Sequence, residues 1–300
     1  MIHLVRPAGV DDPDRPSGGN VYDRRVADGL GAVEHVSTRT VPDGAVVLVD
    51  GLLSSPALLD ETGRLRVVVL VHMPRREPWE GELLGAVAGV VATSRWTRGW
   101  LVATYGLDPR RVIVAEPGVD PAPLAPGSAD GSALLCVGAV TTLKGYDVLA
   151  AALRTLDDLA WSCRGVGATS VEPALAAEVG DAVRLTGPLS RADLDATYAE
   201  VDLLVLASRA ETYGMVVTEA LAHGVPVVGS DVGGVREALG GAGVLVPPGD
   251  PEALSRALRH WLTDAEHRAE QRAAARARRT TLTGWDHTVG RVAAALEVLR

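Results

Sequence analysis

The stretch Ala207-Ser208-Arg209-Ala210-Glu211-Thr212-Tyr213-Gly214-Met215-Val216-Val217-Thr218-Glu219-Ala220-Leu221-Ala222-His223-Gly224-Val225-Pro226-Val227-Val228 decides the reading of this chain. Two glutamates, Glu211 and Glu219, bracket a glycine that opens a helix. The helix should run to about His223, with Gly224 as its C-terminal cap and Pro226 preventing continuation. The amides of Gly214, Met215 and Val216 fall in its first turn, where N–H groups lack intrahelical partners and the dipole is positive. Such a turn suits an anion, and a diphosphate is the natural occupant. Glu219, about one turn further on, can accept hydrogen bonds from vicinal hydroxyls such as those of a ribose. Glu211 lies in the loop after the apolar run Leu203–Leu206, at the carboxyl edge of a sheet, where open α/β sheets bind ligands. Singly, Glu219 also reads as an early-turn carboxylate on the dipole and Glu211 as an exposed loop residue. The spacing, Gly214 and the Gly224-x-Pro226 stop favour one shared site.

Outward from this stretch, short apolar runs alternate with helical patterns, the sequence form of parallel sheets with crossover helices. A first series of strands is expected at Ile2–Val5, Val46–Val49, Val67–Val71, Val90–Thr93 and Val112–Val114, with helices such as Val21–Leu30 and Thr97–Tyr105 between them. A second series follows a Pro- and Gly-rich loop at Pro117–Asp130. It comprises Ala133–Val137, Trp161–Gly165, Val183–Thr186, Leu203–Leu206, Pro226–Val228 and Gly243–Val246. The expected organisation is an N-terminal Rossmann-like domain over 1–124, a ligand-binding Rossmann-like domain over 125–283, and a C-terminal helix over 284–300 packing back toward the first. In that helix Val289, Val292, Ala293, Leu296 and Leu299 share one face. Arg268–Arg279 alternates arginine with Ala, Glu and Gln and reads as a solvated helix face.

Composition bounds the function. With 47% hydrophobic and 22% charged residues over 300 positions, the chain is a globular protein with ample core. A formal charge of −9 argues against a nucleic-acid partner, because phosphate affinity comes mainly from clustered Lys and Arg. Cys136 sits in an apolar run and is expected as a buried strand residue; with Cys163 it makes neither a disulfide framework nor a zinc site. There is no signal-peptide pattern and no apolar run near the ~20 residues of a spanning helix. The expected location is cytoplasmic; oligomeric state stays open.

The opening stretch is similar to the retaining glycosyltransferases of the GT-B fold, the large fourth sequence family, also called group 1. Their pattern E-x-x-G-x-x-x-x-E-A-x-x-x-G-x-P-V is matched at Glu211, Gly214, Glu219, Ala220, Gly224, Pro226 and Val227. Gly233-Gly234-Val235-Arg236-Glu237 resembles that family's G-G-x-x-E turn, and Val246–Leu254 its closing strand and helix. The resemblance implies two Rossmann-like domains facing across a cleft and a nucleotide-diphosphate-sugar as donor substrate, with no cofactor. It implies that Glu219 holds the ribose, that Glu211 lies near the transferred sugar and phosphate, and that Gly214, Met215 and Val216 receive the diphosphate.

Further family elements match in part. Gly138-Ala139-Val140-Thr141-Thr142-Leu143-Lys144-Gly145 resembles the phosphate-binding G-R-L-x-x-x-K-G. Lys144 is present; Ala139 stands where the family has arginine, and Arg209 is the candidate substitute. The loop Thr186-Gly187-Pro188-Leu189 resembles the family's base-binding loop, so Gly187 and Leu189 are expected beside the base through backbone contacts. Gly18 and Gly19 form a Gly-Gly loop that approaches donor phosphates or acceptor in this family. His72, at the end of a strand, matches a histidine that touches donor sugar or acceptor. The expected reaction is therefore retaining transfer of a sugar to an unidentified hydroxyl acceptor, with Glu211, His72 and Lys144 as catalytic groups. Lys144 and the helix dipole supply positive charge, so no metal is demanded. The alternatives are a non-catalytic nucleotide-sugar-binding or partner protein, and a GT-B epimerase or phosphorylase. A dinucleotide oxidoreductase is disfavoured, because no G-x-G-x-x-G follows either first strand.

Overall fold

The computed structural model describes residues 2–298 apart from 11 and 15. Leu299, the last residue of the expected C-terminal stripe, lies outside the described residues. Two compact units emerge.

The first unit is built from β1 (His3–Val5), α1 (Gly18–Leu30), β2 (Val33–His35), β3 (Val46–Asp50), α2 (Leu58–Glu61), β4 (Arg66–Val71), α3 (Glu80–Ala86), β5 (Gly89–Ala92), α4 (Arg95–Tyr105) and β6 (Val112–Val114). Its strands are all parallel, in the order β2-β1-β3-β4-β5-β6. The buried runs Val46–Asp50 and Arg66–Val71 sit mid-sheet, which explains why they read as continuous apolar stretches. β2 was not expected from the sequence. Its Val33-Glu34-His35 is an edge strand with Val33 and Glu34 exposed, so it has no apolar run to betray it.

The second unit runs β7 (Ala133–Val137), α5 (Tyr146–Arg154), β8 (Ser162–Val166), α6 (Pro173–Val179), β9 (Arg184–Gly187), α7 (Arg191–Ala199), β10 (Leu203–Leu206), α8 (Met215–Ala222), β11 (Val227–Ser230), α9 (Val235–Leu239), β12 (Val244–Val246), α10 (Pro251–Thr263) and α11 (Ala265–Arg279). The parallel order is β12-β11-β10-β7-β8-β9, the doubly wound arrangement that reverses direction between β7 and β10. Alternation along β7 supplies both faces. Leu134 and Cys136 pack with Leu149, Leu153 and Trp261 on one side, while Leu135 packs with Tyr198 and Leu221 on the other. Burial drives the Cys136 thiol up to about 11, as befits a core residue.

The last helix, α12 (Trp285–Val298), belongs to the first unit. Val292 and Leu296 are fully buried, Val289 meets Gly29 of α1, and Thr288 Oγ1 donates to Glu116 O at 2.7 Å. The division between units falls after Gly118 and after Leu282 rather than near 124 and 283, and Asp12–Pro16 groups with the second. The physical reason is local. Ala125 N–H donates to His223 O at 2.8 Å, and the Arg279 guanidinium donates to Ala122 O at 2.5 Å, tying the 119–130 loop to the ends of α8 and α11.

The arginines of α11 correct the expectation of a solvated face. Arg268 is buried and donates to Trp261 O and Leu262 O at the end of α10. Arg278 reaches Ala238 O of α9, and Arg279 reaches Ala222 O at the end of α8. Arg272 pairs with the buried Asp202 at 2.9 Å. Guanidinium groups thus satisfy orphan carbonyls at helix ends, which need donors.

Candidate functional site

The second sheet reverses between β7 and β10, so the loops leaving these neighbouring strands frame the natural ligand crevice. After β7 comes Gly138–Gly145, which carries Lys144 just before the Gly145 N-cap of α5. After β10 comes Ala207–Gly214, carrying Glu211 and leading into α8. Arg209 N–H donates to Leu143 O at 2.9 Å, joining the two loops. Gly233 fits against the second loop. Its φ is +52°, and a Cβ would overlap the Glu211 carbonyl oxygen, so only glycine lets the turn before α9 support Glu211.

Lys144 and Glu211 meet here. Lys144 Nζ lies 2.7 Å from Glu211 Oε1, which also accepts from Ser208 Oγ at 2.9 Å. Glu211 is nearly buried, whereas Lys144 keeps 30% of its side chain exposed. An ammonium has three donors, so with one spent on Glu211 two remain for an anion. Gly214 precedes α8 with φ +92°, and the first intrahelical bond there runs from Val217 N–H to Gly214 O. The amides of Met215 and Val216 therefore lie in the turn that offers donors to a ligand.

Glu219, in the next turn of α8, has both oxygens engaged. Arg191 Nη1 donates to Oε1 at 2.7 Å and the Tyr198 hydroxyl to Oε2 at 3.2 Å. Both partners come from α7, whose N-cap is Ser190. A carboxylate has about four acceptor positions, so two hydroxyls can still be accepted while Arg191 and Tyr198 hold its orientation. Arg191 was missed in the sequence: an arginine in a polar helix start has no motif around it.

His223 lies at the C-terminal end of α8. It is buried, and burial lowers its pKa and favours the neutral ring, which stacks on Tyr198 at 5.1 Å.

Three further expected residues have defined neighbours. Arg209, the candidate substitute for the missing arginine at Ala139, is held by Asp147 of α5 at 2.6 and 2.7 Å and by Thr142 O. Its guanidinium keeps the Asp147 carboxyl below the usual range. Arg209 thus braces α5 against the Ala207–Gly214 loop. Gly187 ends the edge strand β9, and its carbonyl accepts from Gly167 N–H at 3.0 Å. Leu189 is half-buried against the second core.

In the first unit, Gly18 and Gly19 are the opening residues of α1 and not a preceding loop, because Ser17 Oγ caps the helix by accepting from Asn20 N–H. Gly19 lies against His72: a Cβ there would come within 3.3 Å of the ring. His72 follows β4, and its Nε2 is 2.8 Å from Asp23 Oδ1. Beyond it, the buried Glu80 carboxylate accepts from the Arg75 and Arg76 amides and from the Tyr105 hydroxyl, shaping the loop after β4.

Two parallel-sheet, Rossmann-like halves with these loops define the GT-B class of architecture. Residues 131–264 match the model of the family described as Glycosyl transferases group 1, and so form a domain of that kind. The chain is 35% identical over 245 residues to a D-inositol 3-phosphate glycosyltransferase from Salinispora tropica, covering 70% of this chain and 51% of the relative. Across such curated relatives it spans between 51% and 60% of their length. Among solved structures it resembles sucrose-phosphate synthase from Thermosynechococcus elongatus, with TM-score 0.81 at 18% identity, covering 99% of this chain and 98% of that one. It also resembles HepE from Anabaena in complex with UDP and glucose, with TM-score 0.79 at 18% identity, covering 99% of each chain. No described helix is long and apolar enough to cross a membrane.

Proposed function

We propose that this chain is a retaining, metal-independent glycosyltransferase that moves a sugar from a nucleotide-diphosphate-sugar to a hydroxyl acceptor. The observation that carries it is the Lys144–Glu211 pair, 2.7 Å apart at the switch point of the second sheet, beside the open start of α8. Glu219, oriented by Arg191 and Tyr198, takes the ribose diol. The Met215 and Val216 amides and Lys144 take the diphosphate. As the anomeric C–O bond breaks, positive charge develops on the ring and negative charge on the leaving phosphate. Lys144 and the helix amides stabilise that phosphate in the transition state, where each such donor is worth roughly 3–4 kcal/mol. The leaving phosphate oxygen receives the acceptor proton on the same face, so no second carboxylate base is needed. Glu211, held by Lys144 and Ser208, orients sugar hydroxyls and faces the developing positive charge. His72 contacts the sugar or the acceptor.

HepE is solved with UDP and glucose, which makes UDP-glucose the first donor to test. The curated relatives are named for inositol 3-phosphate, which makes a phosphorylated polyol the first acceptor. The test is thermal unfolding with UDP, GDP, ADP and dTDP. A ligand at ~100 times its Kd adds ~2.7 kcal/mol, a shift of a few degrees for a chain of this size. A shift with one nucleotide that Glu219→Ala abolishes supports the donor site on α8. No shift with any of the four contradicts it.

A further inference from the structure

In the first unit, three titratable side chains from three elements converge at the carboxyl ends of β3 and β4. Asp23 comes from α1, Asp50 ends β3 and His72 follows β4. One nitrogen or oxygen atom from each lies within 4.8 Å of those of the other two. Asp23 and Asp50 are buried, while His72 keeps 16% of its side chain exposed. His72 Nε2 sits 2.8 Å from Asp23 Oδ1, and a carboxylate only accepts, so the ring donates from Nε2. The other ring nitrogen, Nδ1, has no hydrogen-bond partner among the described residues and is not one of the buried unpartnered atoms. Tyr22 packs edge-on against the ring at 5.3 Å, and Gly19 leaves room for it.

We propose that Asp23 is the positioning residue of His72, with Asp50 as the second carboxyl of the same set: they turn Nε2 inward and present Nδ1–H to an oxygen of the bound substrate. This rests on the reading of His72 as a substrate contact.

The electrostatics agree with the geometry. Burial alone lowers the proton affinity of His72, but the hydrogen bond and charge of Asp23, with the charge of Asp50, outweigh it and raise the pKa above the ordinary histidine value. The charges acting on the ring are thus Asp23 from α1 and Asp50 from β3, and the neighbouring Tyr22 is uncharged. Asp50 is itself pushed up to about 6, by burial first and then by the charge of Asp23. Asp23 Oδ2 is buried without a hydrogen-bond partner among the described residues. An imidazolium offers two N–H groups: one is spent on Asp23, and the other faces outward at a sheet edge where ligands bind. A sugar hydroxyl or a phosphate oxygen would accept it.

Nitrogen-resolved NMR of the histidines in the substrate-free full chain reads this without any assay. The expected wild-type His72 carries its proton on Nε2 and titrates above the usual ~6.5. In Asp23→Asn the midpoint falls by at least about one pH unit, and Asp23→Glu restores part of the shift. Once a donor and acceptor are found, Asp23→Asn should lower kcat about 100-fold, the scale of a positioned proton donor, with donor KM little changed. Loss of activity with an unchanged His72 titration overturns the proposal. So does a wild-type ring protonated on Nδ1 alone, or one that titrates at or below the usual value, and either can be read even if a variant fails to fold. A shifted titration with no turnover of any donor upholds the role of Asp23 and counts against the glycosyltransferase reading instead.

Discussion

Single residues differ in whether their charge can be exchanged for a ligand. Lys144 is paired with Glu211 yet half-exposed, so a diphosphate can recruit its remaining donors; Arg209 is clamped by Asp147 from both nitrogens and braces the loops. Lys144→Ala should therefore cut kcat by about 100- to 1,000-fold, the effect of deleting one preorganised charge donor, while Arg209→Ala acts chiefly on stability. Release of nucleoside diphosphate from the sugar donor measures the first, and chemical denaturation the second. Asp50 gives a pH prediction. Its folded-state pKa of about 6 lies above the ordinary ~3.9 of an unfolded aspartate, so the folded state holds the proton more tightly. Its contribution to stability is fully present below the unfolded value and is lost as pH rises through the folded one. Relative to Asp50→Asn, wild-type stability should fall between about pH 4 and pH 6 in urea titrations; parallel profiles for the two proteins would refute this.

At the scale of elements, helix ends carry much of the second unit. α11 sends guanidinium groups to the carbonyls that close α8, α9 and α10. Arg268→Ala leaves buried carbonyls unpaired and should cost about 2 kcal/mol by urea unfolding, whereas Arg→Ala at a solvated face would cost a few tenths. The sequence shows these arginines but not their direction, because alternation of charge with alanine looks the same whether a guanidinium meets water or a carbonyl. The central strands and the α8 stretch were legible for a different reason: burial on both faces writes continuous apolar runs, and a Gly-opened, Gly-Pro-closed helix leaves marks at both ends. β2 left no such mark, since an exposed edge strand needs no apolar residues. The Gly18-Gly19 pair misled, because Ser17 can cap a helix whose first two residues are glycine. Of the site, Glu211 and Glu219 were visible through spacing, and Lys144 through its likeness to a family motif. Arg191 and Asp23 were not, since each acts on a neighbour brought close only by the parallel crossovers.

At the scale of the whole molecule, the chain is two doubly wound sheets, and the group 1 match falls on the second, where the Lys144–Glu211 pair and α8 lie. The curated relatives extend well beyond the length matched here, so donor and acceptor are assigned by chemistry and settled by assay. Core substitution offers a general check: Leu149→Ala, fully buried between α5 and the second sheet, should cost about 2–5 kcal/mol and lower the melting temperature without altering nucleotide selectivity. The proposed reaction is sugar transfer at the Lys144–Glu211 site with retention at the anomeric carbon. Proton NMR of the purified chain with UDP-glucose and a phosphorylated inositol, repeated with Glu211→Gln, reads both the transfer and the anomeric outcome. An α-linked product that forms with release of UDP, and that the variant makes at least about 100 times more slowly, is the predicted result. A β-linked product, or equal turnover by the variant, would contradict the account.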